Sequence, residues 1–208
     1  MTRLHMKIPQ CTGACKHRRR DGTPCNAPLD PFGHHARTCP VGGWVMKRHD
    51  AACAVLAAWC EEMGCTLEVG QKPYGEVLVP WAAPARPEAR MDLVVHAPGI
   101  ATPFYVDLTV VSALSSDALA SGSAVRDGAA AEVAARGKYR DYPNCSVTPF
   151  AVEDHGRVGE EALRLIRMLA PSDDAERSRA IRRLHQSLGA TLQRVAPDAV
   201  ISTTTART

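Results

Sequence analysis

Two neighbouring segments near the middle of the chain alternate apolar and polar residues. They span 90–96 and 104–111, and Ala97-Pro98-Gly99 stands between them. Period-two alternation on both sides of a turn is typical of a β-hairpin. The apolar face predicted for this hairpin consists of Met91, Leu93 and Val95 on the first strand and Phe104, Val106, Leu108 and Val110 on the second.

The opposite face of the predicted hairpin carries two aspartates. With the turn centred on residues 97–102, Asp92 faces Asp107 and their Cβ atoms are about 5 Å apart. Like charges directly opposite each other are destabilising unless something binds between them, and a divalent metal ion is the simplest candidate. The pattern therefore predicts a metal-binding hairpin around which the chain is organised.

Helices and further strands are predicted on both sides of the hairpin. Apolar residues at three- and four-residue spacing predict the first and last helices, and alanine favours the helix in the middle of the chain. Pro149 predicts either an edge position or a bulge for the last strand. The predicted elements are a helix over 44–63, strands over 65–69 and 76–79, an extended connector over 80–90, a loop or short turn over 112–122, a helix over 124–142, a strand over 146–152, a helix over 159–169, and a last helix that starts after Asp174 and runs to about Val195. This order predicts an α/β fold in which helices cover a central mixed sheet.

Some polar side chains in the predicted helices are open to two interpretations. Cys53 and Cys60 are interpreted as buried thiols, and His49 as a residue that supports a metal ligand or contacts phosphate, or as a partly exposed polar residue. In the last helix an apolar stripe predicts contact with the core or with a partner. The stripe consists of Ile181, Leu184, Leu188, Leu192 and Val195, and the arginines beside it, which either form a solvated face or contact DNA phosphates, are Arg179, Arg182, Arg183 and Arg194.

The N-terminal part of the chain has little apolar periodicity but is rich in cysteine and histidine. Such a segment cannot bury enough surface to fold alone, and a structural zinc ion would supply the missing stability. A His-x3-Cys pair can converge on one ion from a single turn of chain. The best ligands are therefore Cys25, His35 and Cys39, with Cys15 or Cys11 as the fourth.

The composition of the chain bears on the partners and the cellular compartment to be expected. The chain has 208 residues, 45% of them hydrophobic, with a net charge of +3, which permits nucleic-acid binding without requiring it. No apolar run of about 18 residues and no secretory signal are found, so we expect an intracellular protein whose eight cysteines bind metal in preference to forming disulfides. Within the basic insertion Lys16–Arg20, the arginines Arg18–Arg20 either contact phosphate or form a solvated charge run. The predicted division is a zinc module over 1–43, a core over 44–170 and a C-terminal helix with a frayed tail over 171–208.

Two carboxylates on adjacent strands, followed by a basic residue, suit metal-dependent phosphodiester hydrolysis. The carboxylates hold divalent ions that neutralise phosphate oxygens and activate water, and a lysine stabilises the transition state or orients the water. Aspartate pairs on strands also occur in carbohydrate-binding and metal-binding modules, so the spacing alone leaves the reaction open.

Several motifs together resemble a known family. Asp92, the strand segment Asp107-Leu108-Thr109, the pair Lys138-Tyr139 and the block from Cys25 to Cys39 look like the C-terminal part of site-specific non-LTR retrotransposon proteins. In that family a cysteine-histidine knuckle precedes a restriction-like endonuclease of the PD-(D/E)XK superfamily. The resemblance covers about residues 11–195 and implies a restriction-endonuclease-like mixed sheet flanked by helices, with a small zinc-binding module in front.

The resemblance also implies roles for individual residues. Asp92 and Asp107 match the acidic residues of the two motifs and would bind Mg2+ or Mn2+. Thr109 stands where the superfamily's usual lysine falls, which makes Lys138 from the following helix the candidate, with Tyr139 beside it. Glu68 is a further candidate metal-binding acid. Met91 stands where a proline usually precedes the first aspartate. The match to the motif is therefore less exact, but no side chain that takes part in the reaction is missing.

The function implied is nicking of target DNA for retrotransposon-type integration. DNA is the expected partner, with element RNA as a further candidate, and the expected location in a eukaryote is the nucleus. A chain of 208 residues is too short to hold a polymerase as well, so reverse transcriptase is expected on a longer or separate polypeptide. Two alternatives remain: a catalytically dead nucleic-acid-binding module derived from a mobile element, and an interaction protein whose last helix docks on a partner.

Overall fold

The computed structural model describes residues 12–69, 91–142 and 146–204. The predicted strand over 76–79, the connector over 80–90 and Cys11 lie outside the described residues. The elements, in chain order, are α1 (His34–Thr38), α2 (Trp44–Glu62), β1 (Thr66–Val69), β2 (Leu93–His96), β3 (Phe104–Val111), α3 (Ser116–Ala120), α4 (Ala129–Asp141), β4 (Val147–Glu153), α5 (Glu160–Leu169) and α6 (Asp174–Thr204).

The described strands form one mixed sheet in the order β1-β2-β3-β4. β1 to β3 are antiparallel neighbours, and β4 runs parallel to β3 at the edge, where Pro149 needs no partner on its outer side. In the hairpin Val94 faces Tyr105, and Leu93 faces Val106. This is the register predicted from the sequence, and the α/β class with helices covering a mixed sheet is confirmed.

The main hydrophobic core lies on one face of the sheet. Val106 and Leu108 of β3 are buried there against α2, α5 and α6, as their alternation predicts. The predicted stripe of α6 packs into the same core, with Leu184 and Leu188 fully buried. The indole nitrogen of Trp59 in α2 donates a hydrogen bond of 3.0 Å to the carbonyl of Ala180, which fixes α2 against α6.

Small residues bring α4 close to the other face of the sheet. Ala131 and Ala135 of α4 pack against Ala151 of β4, whereas the neighbouring Phe150 points into the main core. A Cβ atom on Gly159 would lie 3.2 Å from that of Ala131. α2 and α4 therefore lie on opposite faces of the sheet, and the alanine-rich sequence of α4 lets its side chains approach β3 and β4.

The sequence-based element bounds need a few corrections. Residues 116–120 form the short helix α3 where a loop or turn was predicted, because the Ser115 hydroxyl caps it by accepting from the amide of Ala118. The helix predicted over 124–142 begins at Ala129 and continues through Gly137 to Asp141. The last helix continues to Thr204 instead of ending near residue 195, because Ala199 and Val200 are buried. None of the described helices, this one included, has both the length and the apolarity needed to cross a membrane.

The face predicted for Met91 is wrong. It packs with Val94 and Tyr142 on the α4 side, not with Leu93 and Val95 on the main core. The chain bends at Asp92, just before β2 begins, and a bend breaks the period-two alternation on which the prediction rested.

Buried charges join the N-terminal segment to the sheet. The guanidinium of Arg37 lies 2.9 Å from the carboxylate of Asp154, which is only 2% exposed. His155 contacts the same carboxylate at 2.6 Å, and although burial opposes ionisation, these contacts lower the pKa of Asp154. Val200 of α6 packs on the cysteine cluster itself. The predicted zinc module is therefore anchored on the core by both an ion pair and an apolar contact.

Candidate functional site

A small hairpin and one helical turn bring four predicted ligands together. The hairpin is closed by a bridge between Ala14 and Pro28, so that Cys15 and Cys25 lie on facing arms. α1 places the other two ligands, His35 and Cys39, four positions apart and therefore on one side of a turn. The donor atoms of Cys15, Cys25, His35 and Cys39 all lie within 4.8 Å of one another.

The distances in this cluster match tetrahedral zinc coordination. Sγ of Cys39 lies 3.8 Å from Sγ of Cys15 and 3.8 Å from Sγ of Cys25. Nε2 of His35 lies 3.4 Å from Sγ of Cys25. Zinc bonds of about 2.3 Å to sulfur and about 2.0 Å to nitrogen separate tetrahedral ligands by about 3.8 Å for two sulfurs and about 3.5 Å for sulfur and nitrogen. The cluster could therefore hold a metal ion such as zinc with little rearrangement.

The electrostatics of the cluster also favour a bound cation. Burial raises the pKa of the Cys15 thiol and raises that of Cys39 to about 12. Neighbouring thiols cannot all ionise in a buried site unless a positive charge compensates them. A zinc ion would supply that charge, because thiolates are the form of cysteine that it binds.

Asp30 holds the turn that carries His35 and Cys39. Its carboxylate accepts hydrogen bonds from the amides of Phe32, at 2.9 Å, and His35, at 3.0 Å. Burial opposes ionisation of Asp30, but the bond from His35 and its neighbours outweighs it and lowers the pKa. α1 is only five residues long, so this side-chain cap matters for keeping both ligands aimed at the same point.

His17 is a supporting residue that the sequence analysis did not single out. Its Nδ1 lies 3.4 Å from Sγ of Cys39, and the ring is 8% exposed. A Cβ atom on Gly42 would lie 2.7 Å from this ring, and Gly42 has φ +97°, so glycine is required there for two reasons. An imidazole N–H beside a ligating thiolate orients it and disperses its charge.

Asp107 and Lys138 meet on the α4 side of the sheet. Nζ of Lys138 lies 2.8 Å from Oδ2 of Asp107. The carboxylate is buried, with Asp107 5% exposed, whereas the lysine side chain is 26% exposed. The close packing of α4 on β3 and β4 explains how a lysine 31 positions later in the chain reaches the strand. The pair presents a partly accessible ammonium group beside a buried acid.

Asp92 lies at the edge of the sheet beside Asp107 but turns toward α2. Its Oδ2 accepts a 2.7 Å hydrogen bond from the amide of Leu108, the residue after Asp107, and lies 3.3 Å from Nε2 of His49. The predicted register is therefore correct, but the bend at Asp92 gives the two carboxylates different cationic partners. The prediction that Asp92 shares the face of Val94 and His96 is wrong for this reason.

His49 and Cys53 are the polar residues of this region that sequence analysis undervalued. Their donor atoms and that of Asp92 lie within 4.8 Å of one another. The hydrogen bond to Asp92 raises the pKa of His49 to about 11. Burial raises the pKa of Cys53 as well. A His-x3-Cys spacing, the same as in the zinc cluster, was the available signal within the predicted helix.

Tyr139 and Glu68 have partners away from the two aspartates. The hydroxyl of Tyr139, a residue 44% exposed, donates to Glu161 of α5 at 3.2 Å. Glu68 lies 2.8 Å from Nε2 of His96 on the neighbouring strand. Glu68 and Asp107 are two strands and two residues apart, about 12 Å at ordinary sheet spacings. The structure thus brings Lys138 to an aspartate but directs Tyr139 and Glu68 elsewhere.

Comparison with known proteins adds no family assignment. No family model matches the sequence, and no curated protein matches it significantly. A function for the chain therefore has to follow from the chemistry of these side chains.

Proposed function

We propose that the protein is a metal-dependent DNA endonuclease of the restriction-like, PD-(D/E)XK type that nicks target DNA for retrotransposon-type integration. The observation that carries the proposal is the 2.8 Å contact between Lys138 and Asp107. Thr109 leaves the strand without the usual lysine, and the contact supports Lys138 as its replacement from α4. The mixed sheet flanked by helices, with a cysteine-histidine cluster in front, is the architecture that the family resemblance implies.

The chemistry assigned to the site uses the two carboxylates and the lysine. Asp92 and Asp107 offer oxygen ligands, which suit Mg2+ or Mn2+, and such an ion would neutralise phosphate oxygens and lower the pKa of an attacking water. Lys138, partly exposed beside the buried Asp107, would contact the scissile phosphate and stabilise its developing negative charge. DNA binding has to draw the ammonium partly away from Asp107, which frees that carboxylate for the ion.

Two basic surfaces support DNA as the substrate. The insertion between the first two zinc ligands is exposed, apart from the buried His17, so its cationic side chains are accessible to phosphate. The arginines beside the apolar stripe of α6 are exposed as well. The two groups are Lys16, Arg18, Arg19 and Arg20 near the cysteine cluster, and Arg179, Arg182, Arg183 and Arg194 on α6. We propose that the zinc module binds the DNA duplex next to the cleavage site.

Nicking of supercoiled plasmid in Mg2+ or Mn2+ tests the proposal. We expect Asp107→Ala and Lys138→Ala each to lower the rate by about 100-fold or more, because each removes a charge that acts on the transferring phosphate. Arg140→Ala is the matched control, since it removes one positive charge from the same helix at a side chain that is 83% exposed. Cleavage that survives Asp107→Ala would exclude this site.

A second candidate is a nucleic-acid-binding module without catalytic activity. The burial of Asp107 and its pairing with Lys138 favour it, because a carboxylate that is already neutralised needs no ion. Under this alternative the wild-type protein binds DNA with a strong salt dependence and cleaves it in no divalent ion. Replacing Arg18, Arg19 and Arg20 with alanine would then lower the salt slope by about 0.9 for each phosphate that the protein no longer neutralises.

The proposal also covers the partners of the protein and the cellular compartment in which it acts. Reverse transcriptase would come from a longer or separate polypeptide, element RNA would be a further partner, and the site of action in a eukaryotic cell would be the nucleus. These assignments rest on the family resemblance, whereas the plasmid assay tests the chemistry of the chain itself.

A further inference from the structure

Three donor side chains converge where α2 approaches the beginning of β2. His49 and Cys53 are four residues apart on α2 and therefore lie on the same side of the helix, one turn from each other. Asp92 comes from the bend that precedes β2. All three are half-buried, and their donor atoms lie within 4.8 Å of one another, so an ion could enter from solvent.

The distances suit a shared ion. Nε2 of His49 lies 3.3 Å from Oδ2 of Asp92 and 3.8 Å from Sγ of Cys53. Zinc with ordinary bond lengths separates tetrahedral nitrogen and oxygen ligands by about 3.4 Å, and nitrogen and sulfur ligands by about 3.5 Å. All three donor atoms lie within 4.8 Å of one another, so side-chain adjustments alone would bring them to bonding distance of one ion.

Neighbouring groups already orient two of the donors. Nδ1 of His49 lies 3.1 Å from Oδ1 of Asp50, which leaves Nε2 directed at Asp92. A carboxylate on the far nitrogen of a histidine is the usual outer partner of a metal-bound imidazole. The amide of Leu108 holds the carboxylate of Asp92 in place at 2.7 Å. These contacts are independent of the distances among the three donors.

We propose that His49, Cys53 and Asp92 form a second metal site, which binds a zinc-like divalent ion through three protein ligands and leaves the fourth position to water or a phosphate oxygen. Imidazole and thiolate ligands select zinc or cobalt over magnesium, whose preferred ligands are all oxygens. Three protein ligands with an open position are typical of zinc sites that do chemistry, whereas four are typical of structural sites.

The proposal goes beyond the endonuclease assignment and does not rest on it. It needs neither Asp107, Lys138 nor DNA. It concerns the α2 side of Asp92, where the ion would lie between Nε2 of His49 and the carboxylate, which are 3.3 Å apart. This site offers three protein ligands, one of them a thiolate, whereas the cysteine cluster offers four with three thiolates, so it is expected to bind the ion more weakly.

Zinc content of the full-length protein after dialysis against buffered zinc tests the proposal. We expect two equivalents in the wild type and one in both His49→Ala and Cys53→Ala. Cys60→Ala is the matched control, because Cys60 lies two turns further along α2, is fully buried, and belongs to neither donor cluster. It is expected to retain two equivalents. One equivalent in the wild type, or two in the His49 and Cys53 variants, would overturn the proposal.

Cobalt titration of the wild-type protein is a second test, and its result does not depend on whether the variants fold. We expect a second binding phase, after the four-ligand cluster is filled, whose thiolate-to-cobalt absorption corresponds to one sulfur, compared with three in the first phase. The absence of this phase would also overturn the proposal. Plasmid nicking plays no part in either readout, so the two proposals fail separately.

Discussion

The two candidate sites of this protein differ in how far apart their residues lie along the chain. Cys15, Cys25, His35 and Cys39 all come from one segment of 25 residues, closed by a short hairpin and a helical turn. The other site, called the strand-end site, consists of His49, Asp92, Asp107 and Lys138, which come from α2, the bend before β2, β3 and α4. Its geometry therefore depends on the whole sheet. Spacing along the sequence is sufficient to predict three residues of the first site, whereas the partners of Asp92 and Asp107 depend on tertiary packing.

The clusters also differ in how their charge is balanced. In the cysteine cluster, buried thiols face one another, and the fourth donor is a histidine that must be neutral to bind metal. In the strand-end site each carboxylate has a cationic partner, His49 for Asp92 and Lys138 for Asp107. Metal is thus expected to be necessary for the fold of the first region, whereas the second region is stable without it.

The largest effect is expected from Cys39→Ser. Cys39 lies within 3.8 Å of two other thiols and also contacts His17, so its replacement removes a ligand and leaves the coordination of the ion incomplete. We expect zinc content to fall by one equivalent and the free energy of unfolding to fall by about 4 kcal/mol or more, as for loss of a structural metal. Elemental analysis and denaturant unfolding measure the two quantities.

Cys65→Ser is the control for losing a buried thiol. Cys65 is 8% exposed in the main core and belongs to neither donor cluster. It should retain all bound zinc and lose only the stability of a single packed side chain. Equal zinc content in the Cys39 and Cys65 variants would remove the contrast between the two regions.

A smaller effect is expected at the pair of Asp107 and Lys138. Lys138→Met leaves the buried carboxylate without its cation, and we expect a loss of about 2 kcal/mol, below the roughly 3–5 kcal/mol of a fully buried pair because the lysine is partly exposed. Adding Asp107→Asn should recover part of that loss, since it removes the buried negative charge that Lys138 no longer balances. A double-mutant cycle gives the coupling, and additive effects would show that the pair does not interact.

Local patterns in the sequence were sufficient to predict the hairpin and three of the four residues of the cysteine cluster, but not the orientation of Asp92. Alternation in β3 predicted both the register and the burial of Val106 and Leu108, because each residue there follows the pleat. At Asp92 the chain bends, and the side chain turns to a helix 43 positions earlier. Neither the bend nor the partner leaves a periodic signal, so His49 could not be assigned to Asp92 in advance.

The contact between Lys138 and Asp107 could be predicted from the sequence only in part. Its position on a helix after β3 could be predicted, because alanine favours helix through that segment. Its contact with Asp107 depends on how closely α4 approaches the sheet, which small residues on two other elements decide: Ala151 of β4 and Gly159 before α5. The alanine-rich sequence predicts the helix, whereas tertiary packing determines the contact between Lys138 and Asp107.

The smallest effect is the pH dependence of the pair of His49 and Asp92. The pKa of His49 rises from an ordinary 6.5 to about 11, chiefly because its ring hydrogen-bonds to Asp92. A group whose pKa is raised on folding stabilises the fold fully below its unfolded pKa, and that stabilisation declines as pH rises toward its folded pKa. The difference in unfolding free energy between the wild type and His49→Gln should therefore shrink between about pH 6 and about pH 9, at no more than about 1.4 kcal/mol per pH unit.

Protein carrying a single equivalent of zinc is the form to measure, so that the cysteine cluster is filled and His49 keeps its proton. His96→Gln is the matched control, because it removes an imidazole that is exposed and lies beside Glu68 on the neighbouring strand. A difference for His49→Gln that stays constant or grows with pH would mean that Asp92 does not hold the imidazolium. The contrast with the cysteine cluster would then disappear, because neither region would balance its charge without metal.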